Sequence, residues 1–70
     1  MNHVKVISSY LSNTNKLPLH SNFELLHDVL VEVNNKKYFI EIKGKDTIDA
    51  ANKVLKMTES EIQNLSNNKY

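Results

Sequence analysis

Cysteine is absent from the 70 residues, which removes disulfides and thiolate zinc sites from consideration and leaves the redox compartment unread. Arginine is absent as well, because all nine basic residues are lysine. The planar guanidinium fork that grips phosphates and guanine edges at two points is therefore missing, which argues against sequence-specific reading of nucleic acid. With one glycine there is no glycine-rich phosphate loop, and no serine, Ser8 and Ser9 included, stands in a nucleophile-elbow context. No apolar run approaches the roughly 20 residues of a membrane span. The stretch Met1 to Ile7 also lacks the apolar core of about 7 to 15 residues that a secretory signal carries, so the expected location is cytoplasmic.

What remains is a short chain with little apolar material to spare. Residues 1–70 amount to a single domain, since a chain of this size buries only about 60% of the surface it exposes when unfolded. Ordering it costs on the order of 1.5 kcal/mol per residue. A 40% apolar composition offsets that cost narrowly, and self-association or a partner is one way to complete the stability. Ten asparagines and nine lysines are dispersed too widely to count as low complexity, and no internal repeat is visible.

The expected fold class is α+β: a small antiparallel sheet of two or three strands, with one or two C-terminal helices packed on one face. Val4 to Leu11 is rich in β-branched and aromatic residues and reads as a strand. Residues 12–22 carry the only proline, Pro18, and read as a connection whose Leu17 and Leu19 reach toward the core. Residues 23–33 and 38–43 alternate in polarity on either side of the polar tetrad Asn34 to Lys37, a hairpin signal. With Asn35-Lys36 as the turn, Val33 faces Tyr38, Val31 faces Ile40 and Val29 faces Ile42 on the core side. The same register sets Asp28 against Lys43, Leu30 against Glu41 and Glu32 against Phe39 on the other side.

Gly44 closes the second hairpin strand, and residues 47–66 read as helical. Asp46 or Thr47 is the candidate N-cap, with Asp49 favouring the helix N-terminus. Ile48, Ala51, Leu55, Ile62 and Leu65 recur at helical spacing and form the stripe expected to lie on the sheet. Thr58 to Glu61 is a capping-box sequence that starts a second helix if the segment is broken, so one helix or two stay open. The tail from Ser66 to Tyr70 is expected to fray.

One chemical pattern stands out. An acidic residue, Asp28, lies in the strand Asp28-Val29-Leu30-Val31-Glu32-Val33. It precedes Tyr38-Phe39-Ile40-Glu41-Ile42-Lys43-Gly44, a hydrophobic strand ending in Glu-x-Lys, and later comes Leu55-Lys56-Met57-Thr58-Glu59-Ser60-Glu61-Ile62. This arrangement resembles the core of the PD-(D/E)XK, or restriction-endonuclease-like, nucleases of the Mrr type. The resemblance implies a metal-dependent nuclease with Asp28 and Glu41 as Mg²⁺ ligands and Lys43 as the catalytic lysine that orients or deprotonates the attacking water. Glu24 is the nearest candidate for that family's additional acid. Read from the residues alone, Asp28 and Lys43 form a cross-strand ion pair on a solvated strand face, which implies no function.

Other features favour a different class. His3, His20 and His27 lack metal-ligand spacing and read as surface or core positions. Lys36, Lys37, Lys43 and Lys45 cluster around the hairpin, where lysine protects an exposed edge; nucleic-acid binding through them is the less favoured reading. Tyr10, Leu30 and Phe39, with Glu32 beside them, fall on the sheet side opposite the valines and form a candidate contact surface. The expectation is thus a small non-catalytic interaction protein, an inhibitor or accessory subunit that docks on a larger macromolecule, needs no cofactor, and meets a protein partner or a second copy. The alternative is a minimal Mg²⁺-dependent endonuclease domain of the PD-(D/E)XK kind.

Overall fold

In a computed structural model, residues 3–13 and 24–67 are described. Three antiparallel strands, β1 (Val4–Leu11), β2 (Leu25–Val33) and β3 (Lys36–Gly44), are followed by two helices, α1 (Thr47–Leu55) and α2 (Glu59–Asn67). The sheet order is β1-β2-β3, so β2 is central. This is the α+β class expected, and the helical third is two helices rather than one. Thr14 to Phe23, which include Leu17, Pro18, Leu19, His20 and the start expected for β2, lie outside the described residues.

The hairpin turn sits one residue earlier than the sequence pattern suggests. Asn34 and Asn35 both have positive φ, 53° and 65°. A two-residue turn whose hand matches the strand twist needs positive φ at both central positions, which asparagine tolerates and lysine resists. The turn therefore falls on Asn34-Asn35 instead of Asn35-Lys36, and the pairing shifts by two residues. Val31 pairs with Tyr38, Val29 with Ile40 and His27 with Ile42. A shift of two preserves which side each residue faces, so the core side is as expected while every predicted pair is replaced.

A bulge in β1 completes the arrangement. Val4 and Val6 pair with Val33 and Val31, the register then slips at Ile7, and Ser8, Ser9 and Tyr10 pair with Leu30, Val29 and Asp28. An extra residue reverses the alternation, so Tyr10 points away from the side that Val4 and Val6 occupy.

The core gathers Val29, Val31, Val33 and Ile40 from the sheet with Ala50, Val54 and Ile62 from the helices. Val4, Val6, Tyr38, Ile42, Met57 and Leu65 pack against this cluster. The stripe expected for α1 is corrected here: Ala50 and Val54 face the sheet, while Ile48 and Leu55 are 71% and 48% exposed. The cause lies in the link to β3. A Cβ added at Gly44 would come within 2.8 Å of the Ala50 nitrogen, so only glycine lets α1 cross this close. That approach fixes the rotation of α1, and Ile48 falls about 200° around the helix from Ala50.

The caps are those legible in the chain. Asp46 accepts a hydrogen bond from the Asp49 amide at 2.7 Å, capping α1. At the start of α2 the Glu61 amide donates to Thr58 Oγ1 at 3.2 Å and the Thr58 amide donates to Glu61 Oε1 at 2.8 Å, the reciprocal capping box. That pair of bonds explains the break between the helices. The last helix runs on to Asn67, past the point where fraying was expected.

Candidate functional site

Both helices cover one side of the sheet, and the residues singled out from the sequence lie on the other. Cross-strand neighbours share a face, so the register sorts this outer side into rows. Lys5, Glu32 and Lys37 make one row; Ser8, Leu30 and Phe39 the next; Tyr10, Asp28 and Glu41 the third; Leu26 and Lys43 follow. Tyr10 and Phe39 are 64% and 43% exposed, and Leu30 is half-buried between them on the central strand.

The shifted register changes the chemistry of the third row. Asp28 faces Glu41, not Lys43, so two carboxylates stand side by side where an ion pair was expected. Lys43 faces Leu26 in the adjacent row, and among the described residues no ion pair joins it to Asp28. Leu30 faces Phe39 and Glu32 faces Lys37, each replacing a predicted partner. Asp28 Oδ1 is buried with no hydrogen-bond partner. Such an oxygen costs on the order of 1 to 3 kcal/mol, which makes Asp28 a feature that folding alone does not explain. Glu41 is better served, since the Ser12 hydroxyl donates to its Oε2 at 3.4 Å.

Sequence reasoning missed Ser12, which is 4% exposed and extends the pairing of β1 by donating its amide to the Leu26 carbonyl at 3.0 Å. No local signal marks it, because its role depends on the β1 bulge and on Glu41 two strands away. His27 is adjacent to Asp28 in the chain but lies on the helix side, fully enclosed, with Nδ1 2.8 Å from the Leu25 carbonyl oxygen. It therefore takes no part in the outer face. His3 is exposed.

As a cation site the outer face offers Asp28 and Glu41. Mg²⁺ accepts as few as one or two carboxylates because it keeps several waters. Among the described residues no group of three or more His, Cys, Asp or Glu side chains is placed to hold a metal ion. Glu24, the candidate for an additional acid, is drawn elsewhere: its carboxylate accepts from Lys53 Nζ.

Lys53 is the centre of a second polar cluster, at the junction of α1 with the sheet. Besides Glu24 it reaches the Lys43 carbonyl at 3.0 Å and Asp49 Oδ2 at 3.5 Å, and Asp49 also accepts from the Lys45 amide at 2.8 Å. The Lys45 amide, with the nearby lysine charges, holds the Asp49 carboxyl below its ordinary range. The hydrogen bond to Glu24 and the Asp49 charge hold the Lys53 ammonium above its own. A third cluster ties α2 to the hairpin, where Tyr38 donates to Glu59 at 3.3 Å, Asn34 donates to Glu59 at 2.8 Å and Gln63 donates to Tyr38 at 3.0 Å. These two clusters join element to element and read as structural.

The chain matches no protein-family model, no curated protein and no solved structure. Among the described residues no helix is long and apolar enough to cross a membrane.

Proposed function

We propose that this chain is a non-catalytic interaction protein that docks on a larger protein through the outer face of its sheet. The observation that carries the reading is the outer face itself: exposed Tyr10 beside a buried, unpartnered Asp28 oxygen, in a layer that neither helix covers. An orphaned oxygen next to an exposed aromatic is a poor arrangement for folding and a useful one for binding, since turning the Asp28 carboxylate outward lets a partner's donor satisfy it while the ring supplies contact area.

Charge balance selects the class of partner. Lys5, Lys37 and Lys43 are matched by Asp28, Glu32 and Glu41 on the same face. Nucleic-acid binding draws its affinity from cations against phosphates, and here a phosphate backbone would meet the Asp28–Glu41 pair. A protein surface of alternating charge suits the rows, with the lysines and carboxylates forming a polar rim around Tyr10, Leu30 and Phe39.

The test is a photo-crosslinking amino acid placed at Tyr10 and, as control, at exposed Ser60 on α2, with irradiation in the native cell. A discrete protein adduct from position 10 and none from position 60 is the expected result. No discrete adduct at position 10, or the same adducts from both, contradicts the reading.

The unpartnered Asp28 oxygen beside Glu41 also supports the second reading, a minimal Mg²⁺-dependent nuclease in which Asp28 and Glu41 hold the cation and Lys43 orients water. Bound there, Mg²⁺ would supply charge stabilisation and an activated water. Amide shifts confined to Asp28, Glu41 and Lys43 on adding Mg²⁺, with DNA cleavage lost in Glu41→Ala and Lys43→Ala, would replace the docking reading with this one.

A further inference from the structure

The stripe of α1 that was expected to build the core is turned to solvent instead. Ile48 and Leu55 lie two turns apart, within about 20° of one line along the helix, with Asn52 between them and Ala51 at the margin. Ile48 is 71% exposed and Leu55 48%, on the side opposite buried Ala50 and Val54. The Ser9 hydroxyl donates to the Thr47 carbonyl at 3.0 Å, bringing the start of α1 against the end of β1, where Leu11 is 52% exposed on the same sheet side as Ser9. Ile48 and Leu55 therefore belong to a face of the molecule remote from Tyr10 and Asp28.

We propose that this face is the contact between two copies of the chain, with the α1 helices antiparallel about a two-fold axis passing between Ala51 and Asn52. The arrangement is self-complementary. Ile48 of each copy meets the partner's Leu55, and Ala51 leaves room for the backbones to approach. One flank of the stripe carries Asp49 toward the helix start and the exposed Lys56 at its end. Antiparallel packing sets Lys56 of each copy alongside the partner's Asp49, and opposes the two helix dipoles. A parallel pair would instead set the Asp49–Lys56 flank of one copy against the uncharged Thr47–Ala51 flank of the other, with no such pairing. The charge pattern thus selects both the occupant and its direction.

A helix of nine residues is about 14 Å long. An interface centred on it is small, so the dimer is weak, with a dissociation constant of roughly 10 µM to 1 mM.

Sedimentation of the full chain up to about 2 mM tests this, that limit being set by the weak affinity expected. The weight-average mass should rise with concentration toward that of two chains, and the double variant Ile48→Glu, Leu55→Glu should remain monomeric with an unchanged circular dichroism spectrum. A wild type that stays monomeric throughout, or a dimer that survives both substitutions, overturns the proposal. Because the chain has no cysteine, introduced thiols report the geometry directly. Mild oxidation of Ile48→Cys mixed with Leu55→Cys should give the mixed disulfide in preference to either like pair. Preferential linking of Ile48→Cys to itself overturns the antiparallel arrangement. Neither experiment involves Tyr10 or Asp28, so its outcome is separate from that of the docking reading.

Discussion

On the helix side of the sheet, Val29, Val31, Val33 and Ile40 are fully buried among aliphatic neighbours, and among the described residues the only polar side chain enclosed there, His27, has its Nδ1 beside a carbonyl. The same strands present to the other side Lys5, Glu32 and Lys37, then Leu30 and Phe39, then two adjacent carboxylates, one with an unsatisfied oxygen. Around these residues the first side obeys the rules of packing and is accounted for by folding. The second breaks them at Tyr10 and at Asp28, and departures of this kind concentrate where a surface serves something other than stability.

The comparison breaks most sharply if the two sides respond alike to truncation. Ile40→Ala should cost about 2 to 5 kcal/mol, as a cavity in a tight aliphatic core does. Leu30→Ala on the outer side of the same sheet should cost about 1 kcal/mol or less. Urea unfolding of the two variants at one temperature reads the difference; equal losses would mean that the outer side is a second core. The link that orients α1 comes next. Gly44→Ala should cost about 1 to 3 kcal/mol, because the added methyl meets the Ala50 backbone and α1 has to move. A neutral substitution there would contradict the account of why Ala50, rather than Ala51, faces the sheet.

Smaller effects sharpen the contrast. Asp28→Thr should stabilise the chain by roughly 0.5 to 1.5 kcal/mol in thermal unfolding, since it removes a like charge facing Glu41 and an unsatisfied oxygen, and places a β-branched residue in a strand. Destabilisation would show that Asp28 is structural. The smallest effect belongs to the exposed Lys53 cluster. Asp49 titrates below its ordinary value in the folded chain, so its contribution is present at neutral pH and is lost as the pH falls through about 4 and below. Lys53 titrates above its ordinary value, so its contribution holds at neutral pH and is lost only as the pH rises beyond about 10. The melting temperature of Lys53→Gln should accordingly fall slightly below that of the wild type at pH 7 and converge with it in acid. A gap that persists at pH 2 would exclude the ion pairs as its source.

Much of the inner side was legible in the chain because its signals are local. The valine alternation, the Asp46 cap and the Thr58–Glu61 capping box each lie within a few residues and survive in the fold. The hairpin register was not, because it turns on a backbone preference: two asparagines accept positive φ and a lysine does not, and one residue of turn placement moves every pair by two. The α1 stripe failed for a longer-range reason, since its rotation is set by Gly44 against Ala50 across the β3–α1 link and not by the spacing of apolar residues. At the candidate site, placing Asp28, Glu41 and Lys43 on one face followed from parity. The Asp28–Glu41 juxtaposition and the contribution of Ser12 depend on that register and on the bulge at Ile7, which no spacing along β1 announces.

The claim that the outer face is kept for binding at a cost to stability is tested most directly by one paired measurement on Asp28→Thr. Its melting temperature is compared with that of the wild type, and so is its capture of the protein that crosslinks to position 10. The account predicts a variant that melts higher and captures less. A variant that melts higher and captures its partner undiminished would contradict it.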